Sequence, residues 1–173
     1  MKLTRFALVP LVTLMILAGG GCASNTVKPR AFEVLMSVDK PLERTSLQVD
    51  LIGANTLADL PKWTSYSVTD YWQPDNPQRR DASKITFQFG RGFPIKVSIS
   101  RDDPLWQTWL KSGVAHLVVM ADLPGVATDQ VGNADPRRLI IPLDKKLWPS
   151  GAPLELIIQE GGIKLLTKQK AQN

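Results

Sequence analysis

Two reactive residue types are nearly absent from the 173-residue sequence, which has one cysteine, Cys22, and one histidine, His116. An internal disulfide needs a second cysteine, and a zinc centre of histidine and cysteine ligands needs several such residues. His116 lies in the apolar stretch 114–121, where a buried, hydrogen-bonded histidine is the common case. No GxSxG motif accompanies it, so a serine hydrolase is not indicated. The sequence predicts neither a metal centre, nor a cofactor, nor enzymatic activity.

The carboxylates form no pattern that is specific for catalysis or metal binding. Three aspartates fall in the polar segment 122–137, but their spacing is not that of an EF-hand loop. Three more lie between residues 70 and 81, beside aromatic residues, as the paired carboxylates of glycosidases do. Solvated turn aspartates account for both groups, and a hydrolase therefore ranks last among the functions considered.

Long apolar runs are lacking beyond the N-terminus. The stretch from Phe6 to Ala18 has 13 residues, whereas a transmembrane helix needs about 20. Lys2 and Arg5 precede it, and three glycines follow it directly before Cys22. This order is typical of a secretory signal, and a cysteine after small residues resembles the bacterial lipobox, with Gly19 where leucine is usual. We predict cleavage before Cys22 and covalent lipid on its sulfur, with palmitate among the acyl chains.

Cleavage would lower the formal charge from +5 to +3, because Lys2 and Arg5 are removed. The remaining basic residues are scattered, so nucleic acid is not an expected partner. No aspartate follows Cys22, which favours an outer-membrane anchor facing the periplasm. The predicted organisation is a signal peptide (1–21), a lipidated cysteine and tether (22–30), one domain (31–168) and a tail (169–173). The eight tether residues after Cys22 would reach about 27 Å when extended.

From residue 31 onward the strand period dominates. In the second predicted strand, Leu47, Val49 and Leu51 alternate with Gln48 and Asp50, which predicts one buried and one solvated face. Strands are predicted over 32–38, 46–52, 85–89, 95–99, 114–121, 139–143, 154–158 and 163–166. Turn residues at 90–94 and 161–162 predict two hairpins, and Asp103-Pro104 opens a predicted helix that ends at Ser112-Gly113. The fold class is therefore all-β, a small β-sandwich with one or two short helices.

The segment 55–81 lacks both periodicities and is rich in aromatic residues and prolines. We expect a helical turn over 56–60, followed by an ordered excursion held to the core by its aromatic side chains. An alternative function follows from the same segment. Trp63, Tyr71 and Trp72, within 63–81, are candidates for binding a small ligand or carbohydrate in the periplasm. Trp148, in a lysine-flanked turn, is either a core anchor or an exposed interface residue.

The stretch from Phe32 to Ile52 and the closing segment 151–166 (GAPLELIIQEGGIKLL) carry a resemblance to a known family. Together with the lipobox cysteine and short tether, they resemble the TssJ outer-membrane lipoproteins of type VI secretion. The resemblance implies a transthyretin-like sandwich, related in architecture to the immunoglobulin fold, without catalytic activity. It also implies docking to the periplasmic domain of TssM through the loop between the first two strands. Here that loop is 39–45, with Lys40, Leu42, Glu43 and Arg44 as the candidate contacts.

Overall fold

A computed structural model describes residues 27–55, 57–126 and 128–171. The predicted signal peptide, Cys22 and the end of the predicted tail lie outside the described residues. Within the described part the chain forms eight strands in two four-stranded sheets. One sheet has the order β4-β1-β7-β8 and the other the order β3-β2-β5-β6. The strands are β1 (Val34–Val38), β2 (Leu47–Asn55), β3 (Lys84–Phe89), β4 (Lys96–Ile99), β5 (Val114–Ala121), β6 (Arg138–Pro142), β7 (Leu154–Gln159) and β8 (Gly162–Leu165). The predicted β-sandwich is confirmed.

The core lies between the two sheets. In β1, Val34, Met36 and Val38 are buried and alternate with half-buried residues, as a strand with one inward face requires. β1 pairs in parallel with β7 and antiparallel with β4, so it lies in the interior of its sheet. β5 is nearly continuously apolar and lies between β2 and β6, where both of its faces are covered.

One of the two predicted hairpins is wrong. β3 pairs with β2, whereas β4 pairs with β1 in the other sheet, so the segment 90–95 crosses between the sheets. A hairpin and a sheet crossover need the same glycine and proline turn chemistry, and the alternation within each strand does not identify its partner. The closing hairpin is confirmed, with Gln159 opposite Gly162 across the β7–β8 turn.

The predicted helix after β4 is confirmed and spans Pro104–Lys111. We call it α4, because three shorter helices precede it in the chain. The Asp103 carboxylate caps it by accepting a hydrogen bond from the Leu105 N–H at 2.9 Å. Trp106 and Trp109 are both buried and meet edge to face, with ring centroids 5.3 Å apart. Gly53 in β2 makes room for Trp109, because a Cβ at that position would lie 2.8 Å from the indole ring.

The excursion after β2 forms three further helices, α1 (Leu60–Ser65), α2 (Val68–Tyr71) and α3 (Pro77–Asp81). These cover the outer face of the β2–β5 pair, where Ile52, Val118 and Met120 pack under them. The excursion is therefore ordered and anchored by aromatic residues, as predicted, but it contains more helix than expected. Its cover also buries Asp50 completely, so the predicted solvated face of β2 is wrong at that position.

Trp148 belongs to the core rather than to an interface. Its side chain is fully buried, its ring lies edge to face with Phe32 at 6.3 Å, and its indole N–H donates to the Pro142 carbonyl at 2.8 Å. Of the two interpretations of Trp148, the exposed one is wrong. No helix in the described ranges is long and apolar enough to cross a membrane.

The strand directions define two ends of the sandwich. The chain enters β1 at the end formed by residues 28–33, 100–103, 143–153 and 166–171, which we call the entry end. It leaves β1 at the opposite end, which contains residues 39–46 and 90–95, the β7–β8 turn and the start of the segment after β5, and which we call the far end. The five residues of β1 alone separate these ends by roughly 16 Å.

Candidate functional site

The loop 39–45, predicted to contact a partner, lies at the far end and is held in one conformation. Lys40–Leu42 form a single 3-10 turn that is capped by Asp39. The Asp39 carboxylate accepts from the Lys40 N–H at 2.8 Å and from the Gln159 amide at 3.0 Å, which links the loop to the end of β7. Such a loop loses little conformational entropy on binding.

The four candidate contacts in this loop differ in exposure. Leu42 is 3% exposed and packs in the core between the sheets, so it supports the loop from beneath. Lys40 and Arg44 are exposed, and Glu43 is half-buried. The side chains that the loop presents to a partner are therefore two cations and one carboxylate.

A second segment at the far end escaped the sequence analysis. The crossover 90–95 runs beside the loop, with the Val38 N–H donating to the Ile95 carbonyl at 3.1 Å. Gly90 has φ +118°, and a Cβ there would lie 2.8 Å from the Thr45 carbonyl oxygen, so the close approach depends on glycine. Phe93 and Ile95 stand out from this segment with 45% and 43% of their surface exposed. The available signal was the apolar pair itself, but the hairpin interpretation assigned Phe93 to a turn and Ile95 to the strand that follows it.

The far end thus combines exposed apolar side chains with charged neighbours. Exposed aromatic residues beside arginine are typical of surfaces that bind other proteins. The chemistry that these side chains offer is recognition of another protein surface.

The aromatic segment is mostly a packing element. Trp63 and Tyr71 are 4% and 0% exposed, so their rings are not available to a ligand. Their rings meet edge to face at 5.9 Å above the β2–β5 pair. Trp72 borders a groove of about 580 Å³, and the Arg79 guanidinium lies 4.2 Å from the centre of its ring. Ligand binding through Trp72 stays a prediction.

A buried charged cluster fixes the helices α2 and α3 to β2. The Asp50 carboxylate accepts from the Tyr71 hydroxyl at 2.7 Å, from Arg79 Nε at 2.9 Å and from the Thr86 hydroxyl at 2.6 Å. Burial, followed by the charge of Asp50 and its hydrogen bond, raises the pKa of Tyr71 above its ordinary range. The Asp50 hydrogen bond also raises the pKa of Arg79, against the lowering effect of burial. The cluster is charged and fully paired, as a structural ion pair must be.

A second cluster joins the loop 128–137 to α2. Arg137 donates to the carboxylates of both Asp129 and Asp135, and Asp129 also accepts from the Thr69 N–H at 3.0 Å. Burial alone would raise the pKa of Asp129, but its bonds to Ser67, Thr69 and Arg137 lower it to about 2. These aspartates are thus engaged with an arginine, and in the described residues no three of His, Cys, Asp and Glu are grouped to hold a metal ion.

Arg138 is the most enclosed cation of the described chain, with 1% of its surface exposed. Its guanidinium donates to the carbonyls of Trp63 at 3.0 Å, Tyr66 at 2.6 Å and Gly132 at 2.9 Å, and also to that of Gln130. Burial lowers its pKa, with the nearby aspartates acting in the opposite direction. Sequence analysis missed this residue, because an arginine at the start of a strand does not reveal which carbonyls will face it.

Comparisons with known proteins give a fold but no family. No family model matches the chain, and no curated protein matches it in sequence. A chain of the solved structure described as "Type VI membrane complex" superposes with a TM-score of 0.54 at 14% identity, over 80% of this chain and 99% of that chain. A chain of "T6SS protein TssM C-terminal domain (869-1107) from EAEC" gives 0.52 at 14% identity, over 78% of this chain and 99% of that chain.

A third structure, Lip of Serratia marcescens, "a membrane bound component of the Type VI Secretion System", superposes with a TM-score of 0.46 at 10% identity, over 82% of this chain and 99% of that chain. The two structures with TM-scores above 0.5, the "Type VI membrane complex" and the TssM C-terminal domain, show that the chain has a fold that occurs in type VI secretion structures. The resemblance predicted from the sequence is confirmed at the level of the fold.

Proposed function

We propose that this chain is a lipid-anchored, non-catalytic component of a type VI secretion membrane complex, which docks a periplasmic partner through its far end. The observation that carries the proposal is that the residues after the predicted anchor and the loop 39–45 lie at opposite ends of the sandwich. Residues 28–30, which follow the predicted lipid anchor, lie at the entry end, with Pro29 bridged to Asp144. The loop 39–45 and the exposed Phe93 lie at the far end. A protein anchored at one end and recognised at the other is suited to linking a membrane to a partner.

The TssJ-like resemblance makes the periplasmic domain of TssM the first partner to test. The supports are the fold shared with chains from type VI secretion structures, and a loop that is rigid, charged and adjacent to exposed apolar side chains. Steric and charge complementarity at such a surface would give specificity, while Phe93 and Ile95 supply apolar area.

Reversing the loop charges should weaken this docking. The double variant Lys40→Glu/Arg44→Glu is expected to raise the Kd for the TssM periplasmic domain about tenfold or more, since losing one strong interface contact costs ~1–2 kcal/mol. Isothermal titration calorimetry with the purified mature chain measures this Kd. The control Lys62→Glu/Lys111→Glu makes the same charge change at exposed positions away from the far end.

Two matched apolar substitutions, which leave the net charge unchanged, test the far end in the same assay. Phe93 and Leu166 are 45% and 52% exposed, at the far and entry ends respectively. Phe93→Ala is expected to weaken the complex, whereas Leu166→Ala is not. Equal affinities for all four variants would remove the far end from the proposal, and the absence of any wild-type complex would remove TssM.

The predicted lipid anchor is tested at Cys22. Because the acyl chains supply the attachment, Cys22→Ser is expected to move the protein from the membrane fraction to the soluble periplasmic fraction. Density-gradient separation of inner and outer membranes, with mass spectrometry of the N-terminal peptide, gives the location and the modification. An unmodified Cys22, or cleavage at another bond, would contradict the anchor while leaving the docking surface untouched.

A further inference from the structure

Both termini of the described chain are fastened to one segment at the entry end, residues 143–149. The Lys145 N–H donates to the Lys28 carbonyl at 3.0 Å, and the Arg30 N–H donates to the Leu143 carbonyl at 3.1 Å. From the other terminus, the Lys170 N–H donates to the Leu147 carbonyl at 2.9 Å. The lysines of three segments distant in sequence are thereby gathered at one end of the sandwich.

The resulting surface, which we call the basic end, is rich in cations. Its members are Lys28, Arg30, Arg101, Lys145, Lys146, Lys168 and Lys170. All but Arg30 are exposed, and Arg30 is half-buried. The carboxylates at this end belong to Glu33, Asp102, Asp103, Asp144 and Glu155, and the seven cations outnumber these five. The described chain has a formal charge of +3, and the basic end, at +2, accounts for most of this excess of positive charge.

These cations are not engaged with the neighbouring carboxylates. Among the described residues, none of the seven is within ion-pair distance of an aspartate or glutamate. Arg30 and Arg101 instead donate to the Pro149 and Gly151 carbonyls, each at 3.2 Å. Arg30 Nε is buried and has no hydrogen-bond partner in the described structure. Burial, followed by repulsion from Arg101, lowers the pKa of Arg30. The cations at this end thus outnumber the carboxylates and form no ion pairs with them, which favours an anionic surface outside the protein.

We propose that the basic end binds the anionic phospholipid headgroups of the membrane in which the protein is anchored. This inference rests on the proposed lipid anchor. Five residues separate Cys22 from Lys28, and they reach about 17 Å when fully extended. The basic end is therefore the only described surface that such a tether must keep near the headgroups. Exposed lysines this close to an anionic leaflet are attracted to it, over a screening length of about 8 Å at physiological ionic strength.

The functional consequence is orientation. A single lipid anchor on a flexible tether leaves the domain free to rotate, whereas a broad electrostatic contact at the entry end directs the far end away from the membrane. The loop 39–45 and Phe93 would then face the periplasmic partner, and less rotational freedom would remain to be lost on docking.

The first test uses the mature chain with Cys22→Ser, so that acyl chains do not contribute. In co-sedimentation, it is expected to bind vesicles of phosphatidylcholine with phosphatidylglycerol, to release them at high salt, and not to bind phosphatidylcholine alone. The variant Lys145→Gln/Lys146→Gln is expected to reduce the partition coefficient roughly thirtyfold. The control Lys40→Gln/Lys96→Gln removes the same charge from the far end and should retain most of the binding. Equal losses in the two variants, or no preference for anionic vesicles, would overturn the proposal.

The second test uses the acylated full chain in the same two kinds of vesicle. Amine-reactive labelling followed by mass spectrometry should show Lys28, Lys145 and Lys146 protected by anionic lipid, while Lys40 and Lys96 label equally in both. Uniform labelling would overturn the oriented contact. Failure of the anchor would appear separately, as a chain that lacks the acyl groups but still shows the vesicle preference of the first test. An acidic protein as the true occupant would appear as no vesicle binding, and would also overturn the proposal.

Discussion

Replacing Asp50 with alanine is expected to lower the free energy of unfolding by about 3 kcal/mol. This value is at the lower end of the range that is typical when one partner of a buried ion pair is removed. The change removes the acceptor shared by Tyr71, Arg79 and Thr86. It leaves the Tyr71 hydroxyl buried without a partner, whereas Arg79, 26% exposed, turns partly toward water and moderates the loss. Urea denaturation of the purified domain, followed by tryptophan fluorescence, measures the change in midpoint.

The chain contains a matched control for this effect. Arg80 and Asp81 form an ion pair with the same 2.9 Å separation as Arg79 and Asp50, but on the surface, with about two thirds of each side chain exposed. Asp81→Ala is therefore expected to leave the midpoint almost unchanged, because exposed ion pairs add little stability. Tyr71→Phe removes one hydrogen bond from the cluster and should cost about 1 kcal/mol. Equal midpoints for Asp50→Ala and Asp81→Ala would show that burial does not strengthen the Asp50 cluster.

Arg138→Met is expected to cost about 3 kcal/mol, because four backbone carbonyls lose their shared donor at roughly 1 kcal/mol each. Relief of the cost of burying the guanidinium offsets part of the sum. The carbonyls belong to two segments, Trp63 with Tyr66 and Gln130 with Gly132, and the Arg138 side chain is bonded to both. The loss of stability should therefore affect these two segments locally as well as the whole domain. Hydrogen exchange is expected to speed up first in 60–72 and 128–134, before the strands.

Arg138→Lys provides the chemical control, since it keeps the charge but cannot span four carbonyls with a single ammonium group. Its stability should lie between those of wild type and Arg138→Met. Arg44→Met, at an exposed position of the far end, controls for loss of an arginine in general and should leave the midpoint within the range of ordinary surface substitutions. If Arg138→Met and Arg44→Met have the same denaturation midpoint, the carbonyl contacts of Arg138 do not hold the helices to the sheet.

The strands were predictable because their signal is local. In β2, Leu47, Val49 and Leu51 repeat at every second position, and all three face the core between the sheets. The helix α4 was predictable for a similar reason, since Asp103 and Pro104 are start signals and the tryptophans follow at helical spacing. Pairing was not predictable in the same way. The residues of β3 and β4 suit a hairpin as well as two separate sheets, and their partners are chosen by contacts far away in sequence.

The candidate site residues divide in the same way, into features that local sequence identifies and features that depend on neighbours in space. The loop 39–45 and Cys22 were identified from the sequence and a family resemblance, and their roles stay predictions. The burial of Leu42 and the exposure of Phe93 depend on which neighbours cover each side chain. Trp63 and Tyr71 show the opposite case, since aromatic residues in an irregular segment are equally suited to a ligand site and to a core until the surface beneath them is known.

Sequence alone determined the all-β class, the positions of the strands, the helix after β4 and the closing hairpin, because alternation, capping residues and turn residues act within a few positions of the chain. Tertiary structure alone decided the crossover between β3 and β4, the helical layer over β2 and β5, and the burial of Asp50 and Arg138. It also decided the composition of the two ends of the sandwich, gathering the basic residues of distant segments at the entry end and the exposed Phe93 and Ile95 beside the loop 39–45. Burial and charge at a surface are properties of neighbours in space, and local sequence does not specify those neighbours.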